Sequence, residues 1–221
     1  MHKFLILSAS LLICLSASGQ LQQDPEAKKI LDRLSSKSQG DYPLQISFEY
    51  VYESLIDKET HSETGSLILE GKRFRLRLGE ADVYCDGQTL WNHLTMAGEV
   101  YISDAREASS EDDFFLSSPG DLFTFYQEGF NYQLKDKVEI QGRYYYHIYL
   151  YPVNPEKPYH TVKLLINESA LTLYSAQAMG KHGVNHTVNI REYKRKVSTN
   201  ENTFVFRPEN FPGLEIIDTR F

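Results

Sequence analysis

The segment Arg73–Leu78 constrains this chain more than any other. Phe74, Leu76 and Leu78 alternate with Arg73, Arg75 and Arg77. As a strand it has one hydrocarbon face and one fully charged face. That is the pattern of a sheet with a single apolar side, and the apolar side must cover something. Shortly after it comes Tyr84-Cys85-Asp86-Gly87-Gln88-Thr89-Leu90-Trp91. Asp-Gly between two alternating apolar runs predicts a hairpin.

The surrounding chain extends the pattern. Leu44, Ile46, Phe48, Tyr50 and Tyr52 alternate with polar residues, Val51 excepted. Further strands are expected over Ser62–Glu70, Ala81–Cys85, Gln88–Leu94 and Glu99–Ser103, with Gly71, Gly79, Gly87 and Gly98 in the turns. After a polar, acidic stretch over Asp104–Asp113, strands resume at Lys137–Ile140, Arg143–Pro152, Tyr159–Ile166, Thr172–Gln177, Val184–Lys196, Thr203–Phe206 and Leu214–Arg220. Two helices interrupt them. Asp24 caps the first, Pro25 suits its first turn, and Ala27, Ile30, Leu31 and Leu34 make its apolar stripe. The second is expected from a Ser118 cap and Pro119 to about Glu128, with Leu122, Phe125 and Tyr126 on one face. The fold class is therefore mainly β with short amphipathic helices, on a long, largely antiparallel sheet that should curl.

The first residues read as an export signal: Lys3, an apolar run from Phe4 to Leu15, and small residues Ala17-Ser18-Gly19 at the cleavage positions. Residues 1–19 are expected to be removed, leaving 20–221 as one domain of about 200 residues, enough for a sizeable core. Cys14 follows Ile13 rather than a small residue, so lipidation is not expected. Cys85 is then the one remaining cysteine. It excludes a disulfide framework and reads as a small buried strand residue. A net charge of -7 argues against nucleic acid and anionic membrane surfaces as partners.

Little in the chain reads as catalytic or metal-binding chemistry. His182 and His186 are four apart, but the flanking Val184, Val188 and Ile190 follow the period of a strand, and no metal site is expected. Glu111, Asp112 and Asp113 lack a calcium-loop spacing and read as a solvated loop. Lys194-Arg195-Lys196 reads as solvated edge charge. Asn167-Glu168-Ser169 and Asn185-His186-Thr187 are sequons that matter only in a eukaryotic secretory pathway. The run Tyr144–Tyr151 reads as a strand with one core face and one amphipathic outer face. No nucleophile–base set emerges, so no catalytic residue, no cofactor and no enzymatic activity are expected.

Several motifs together resemble the periplasmic outer-membrane lipoprotein carrier family, the LolA type. They are Gly65-Ser66-Leu67 leading to Lys72-Arg73-Phe74-Arg75, then Cys85-Asp86-Gly87-Gln88-Thr89-Leu90-Trp91. Pro119, the ending Phe211-Pro212-Gly213-Leu214-Glu215-Ile216-Ile217-Asp218, and the opening helix behind a cleavable signal complete the likeness. The resemblance implies a strongly curved, incomplete antiparallel β-barrel closed by two or three short helices. It implies a periplasmic monomer that shelters lipoprotein acyl chains and takes them from the inner to the outer membrane. Its partners would be acylated lipoproteins and the lipoprotein-releasing ABC transporter of the inner membrane. It places Phe74, Leu76 and Leu78 on the cavity wall, to which Ile46, Phe48, Tyr50 and Leu90 are added, and makes Ile30, Leu31, Leu34, Leu122, Phe125 and Tyr126 the lid. The family's lid-holding arginine, counted back from Phe74, falls on Glu70, so that latch does not carry over. A lipid- or lipoprotein-sensing domain and a structural β protein with a filled interior are the alternatives.

Overall fold

The computed structural model describes residues 23–106, 115 and 119–220. The expected export segment and the Ser118 cap lie outside them. The first helix, α1 (Pro25–Gly40), is followed by β1 (Leu44–Ser54), β2 (Glu59–Glu70), β3 (Arg73–Leu78), β4 (Ala81–Cys85), β5 (Thr89–Leu94) and β6 (Glu99–Asp104). After a connection come β7 (Phe130–Ile140), β8 (Arg143–Pro152), β9 (Tyr159–Asn167), β10 (Leu173–Gly180), β11 (Val184–Lys194) and β12 (Glu215–Asp218). All twelve strands form one sheet in the order β12-β6-β5-β4-β3-β2-β1-β11-β10-β9-β8-β7. It is curved and unclosed, a mainly-β incomplete barrel with a helical cover.

This order follows from two antiparallel meanders, β1–β6 and β7–β11, zipped together where β1 pairs with β11. It also forces two long crossings. β6 lies near one end of the sheet and β7 at the other. Of the described residues between them, Phe115 and 119–129 lie against the concave face. β11 lies in the middle, so the chain returns to β12 across the convex face, where β12 pairs in parallel with β6.

The concave face carries the main core. Ile46 and Phe48, Leu67 and Leu69, Phe74 and Leu76, Ile148 and Leu150, Val162, Leu164 and Ile166 are all buried there. α1 lies on it through Ala27, Ile30, Leu31 and Leu34. Asp24 explains the placement of the helix. Its Oδ1 accepts the backbone N–H groups of Glu26 and Ala27 as an N-cap, while its Oδ2 accepts that of Leu134 on β7. One carboxylate thus starts the helix and ties it to the open edge of the sheet.

The convex face is not the solvated surface that the arginine stripe predicts. Tyr84, Val100 and Phe206 are buried there, with Trp91, Phe211 and Leu214 packed around them. The return chain supplies Phe206 and Phe211, whose rings stack with centroids 5.1 Å apart. Arg75 spans both worlds. Its Nε and Nη2 donate to the two oxygens of Asp82 at 3.0 and 2.7 Å, and its guanidinium lies 4.3 Å from the Tyr84 ring centre. Arg73 lies over the buried Phe204 ring in the same way. The cations of this stripe are consumed in stacking and pairing.

Three other elements differ from expectation. Residues 119–128 are not one helix but two 3-10 turns, Pro119–Asp121 and Phe125–Gln127. The Phe-Thr-Phe-Tyr run has poor helix formers. A three-residue repeat turns Phe123 and Tyr126 inward together and leaves Leu122 and Phe125 half-buried. β7 starts at Phe130 rather than Lys137, and a register shift between Leu134 and Asp136 breaks the alternation that would have marked its first half. Thr203–Phe206 is no strand: its start closes a 3-10 turn capped by Asn200, and Phe204 and Phe206 are spent on packing.

Burial pushes the Asp82 carboxyl up, but Arg75, Arg77 and Tyr84 outweigh it and hold the group below its ordinary 3.8. The stabilisation is therefore complete above about pH 4 and is lost as pH falls through the lowered folded-state value. Urea unfolding at pH 7 and pH 3 is expected to show a larger stability loss for the wild type than for Asp82→Asn. Phe206→Ala is expected to cost about 3–4 kcal/mol at pH 7.

Candidate functional site

The concave interior is an apolar chamber under a cover. The wall comes from four neighbouring strands: Ile46 and Phe48 on β1, Leu67 on β2, Leu76 on β3, and Val188 and Ile190 on β11. The cover comes from the crossing chain through Phe115, Pro119 and Leu122. The gap between them is about 20 Å³, room for about one water molecule. Ligand pockets run to about 300–1,000 Å³, so the chamber in this state is full of its own side chains.

Gly65 sets part of the wall's shape. A Cβ there would sit 2.4 Å from the Phe48 ring, so only glycine lets that ring lie flat over β2. Phe74 is buried in the same core, and Leu78, Leu90 and Tyr50 are packed against it half-buried. Of the seven wall residues expected from sequence, Ile46, Phe48 and Leu76 line the gap itself. Leu67, Val188 and Ile190 line it too and were not expected. Their signal was the same alternation, Leu67 with Leu69 and Val188 with Ile190.

The described residues of the cover are joined to both α1 and the sheet. Tyr126 donates its hydroxyl proton to Asp32 Oδ1 on α1 at 2.8 Å, joining the crossing chain to the helix. Burial, then the Asp32 hydrogen bond and charge, push the Tyr126 phenol up to about 12. Its ring packs edge-on against Tyr132, and Phe125 packs edge-on against Phe130. Pro119–Asp121 rests on the β2–β3 turn, where a Cβ on Gly120 would lie 3.4 Å from Lys72 Cα. Glu70, beside that turn, pairs with Arg73 at 2.6 Å. Ile30, Leu31, Leu34 and Tyr126 of the expected lid are buried, Leu122 and Phe125 half-buried, and Phe123 is a further, fully buried anchor.

A second hollow of about 220 Å³ opens on the same concave face, at the β10–β11 turn. It is lined by Pro158, Tyr159, Ala178, Gly180, His182, Val184 and His186. The Tyr50 hydroxyl lies 2.6 Å from His186 Nδ1. Among the described residues no group of three or more His, Cys, Asp or Glu is placed to hold a metal ion. Cys85 is buried and its thiol is pushed up by burial, as a structural cysteine rather than a nucleophile.

A scan of protein-family models finds no match, and a search of curated proteins finds none either. Solved structures do match in fold. An uncharacterized conserved protein from Thermus thermophilus is similar at 12% identity over 87% of this chain and 99% of that one, with a TM-score of 0.55. LolA superfamily protein NE2245 from Nitrosomonas europaea aligns at 12% identity over 81% and 97%, with a TM-score of 0.44. LprF from Mycobacterium bovis aligns at 13% over 82% and 99%, also at 0.44. At these identities the likeness concerns the fold alone.

Tyr126→Phe removes the hydroxyl that joins cover to helix and leaves Asp32 with Lys28. It is expected to cost about 1 kcal/mol. Hydrogen exchange should accelerate over residues 119–129 and stay unchanged in β1 and β11.

Proposed function

We propose that the protein is an exported, periplasmic carrier that shelters lipoprotein acyl chains in its concave interior and passes them from the inner to the outer membrane. One observation supports this most. The concave apolar wall is filled by side chains of a crossing segment whose described residues form 3-10 turns and no strand, held to α1 through Tyr126 and Asp32. A filler of that kind can be exchanged for a ligand without breaking the sheet.

The energetics suit transfer. Each methylene leaving water contributes about 0.8 kcal/mol, so a sixteen-carbon chain is worth roughly 12 kcal/mol gross. A carrier keeping all of that would never release. Lifting Phe115, Leu122 and Phe125 off the wall costs up to about 1.5–3 kcal/mol for each side chain that loses its burial. The net affinity is the difference, low enough for hand-over. The wall is hydrocarbon rather than reactive, so we read a binding protein and not an enzyme. Loading by a lipoprotein-releasing ABC transporter is part of the same proposal.

A structural β protein would also have a filled interior, and the 20 Å³ gap favours that second reading until a ligand is found. Uptake separates the two. The wild type is expected to bind an environment-sensitive apolar dye that a palmitoylated lipopeptide displaces. Leu122→Ala with Phe125→Ala should tighten lipopeptide binding about tenfold or more, because a competing filler is removed. Dye exclusion by both proteins, and recovery of no acylated protein after crosslinking in the periplasm, would overturn the carrier.

A further inference from the structure

The hollow at the β10–β11 turn has its own chemistry. Small residues make it: Ala178 and Gly180 follow one another on the concave face of β10. Gly180 cannot be replaced there, since a Cβ would lie 2.1 Å from the Val184 carbonyl oxygen. Aliphatic and aromatic surface from Val184 and Tyr159 completes the walls, and no lysine or arginine lines it. Lys181, on the adjoining turn, is directed to the Pro155 carbonyl.

Into these walls the strand β11 brings one oriented polar group. His186 is held by Tyr50 at Nδ1, and Tyr52 packs edge-on against its ring at 5.6 Å. In the tautomer in which Tyr50 donates to Nδ1, Nε2 carries the ring proton and is a hydrogen-bond donor. With His182 as the other imidazole of the lining and no lysine or arginine in it, an N–H donor here matches an uncharged acceptor better than a carboxylate.

Continuity supplies the rest. Val184, His186, Val188 and Ile190 share one face of β11. The first two line the hollow and the last two line the gap under the cover. Successive positions on that face are about 7 Å apart, so a ligand leaving the hollow along β11 reaches the chamber within one step of the pleat.

We propose that this hollow seats the ester or amide carbonyl of an acyl ligand, with His186 positioned by Tyr50 as its donor and the chain running along β11 beneath the cover. The inference rests on the carrier reading. It adds an order of events: the hollow stands open while the chamber is full, so the carbonyl end docks first and the chain then displaces the cover.

Two probes with the same sixteen-carbon chain test it: 1-palmitoylglycerol, an ester, and 1-O-hexadecylglycerol, an ether without the carbonyl. Calorimetry or dye displacement on the wild type should show the ester bound about tenfold more tightly. His186→Phe should bind the ether as the wild type does and lose the preference, and His186→Gln, which keeps a donor, should retain part of it. Equal binding of the two probes by the wild type, or a preference that survives in a folded His186→Phe protein, would overturn the assignment of the hollow. Binding of neither probe by the wild type would overturn the carrier reading itself.

Discussion

The pairing of β1 with β11 is the constraint from which the rest of this structure follows. It joins residues 140 apart in the chain, Glu49 with Asn189, along a ladder from Gln45–Lys194 to Ser54–Val184. Such a contact carries a large loop-closure cost before it returns anything. Once made, it places β6 and β7 towards opposite ends of one twelve-stranded sheet. The described residues of the chain between them lie on the concave face, and the chain after β11 returns across the other. Cover and outer cluster are both consequences of strand order.

The two crossings meet different fates because the two faces differ. On the convex side, Phe204, Phe206 and Phe211 dock onto Tyr84, His93 and guanidinium planes, and the segment ends in a strand that pairs with β6. That crossing is locked by backbone ladder and aromatic contact together. On the concave side, the described residues of the crossing make 3-10 turns and no strand, and pack by apolar contact with the Tyr126–Asp32 hydrogen bond to α1. Apolar contact is non-directional, so one hydrocarbon surface can replace another at little cost in specificity. A segment held this way is suited to exchange, and one held the other way is not.

Two hollows share one strand, and under the carrier proposal they divide the ligand's chemistry. The gap under the cover offers hydrocarbon walls and no room. The hollow at the β10–β11 turn offers room and two imidazoles, His182 and His186, the latter held from behind by Tyr50. Their common wall is the alternate face of β11. A molecule with a polar junction and a long apolar tail meets both needs in order. Selection by the head and retention by the tail are then separate steps on the same surface.

Much was legible along the chain because local patterns report local physics. The alternation of Phe74, Leu76 and Leu78, the stripe of α1 and the Asp86-Gly87 turn all appear where side-chain period and turn chemistry place them. Asp86 Oδ1 indeed takes the N–H groups of both Gln88 and Thr89, which pulls Gln88 out of β5 and into the turn. The 3-10 turns at Pro119 and Phe125 were not legible, because the crossing segment is shaped by the wall it lies on and not by its own propensity. Nor was the use of the arginine stripe, since Asp82 and Tyr84 reach it from β4 and Phe204 and Phe206 from the distant return segment. By itself the sequence determined a curved sheet with one hydrocarbon face and a helix to lie on it, for period and capping are properties of neighbours in the chain. Which side chains fill that face, where a hollow stays open and which polar pair looks into it were decided only by the tertiary structure, because each depends on residues brought together by a pairing more than a hundred positions long.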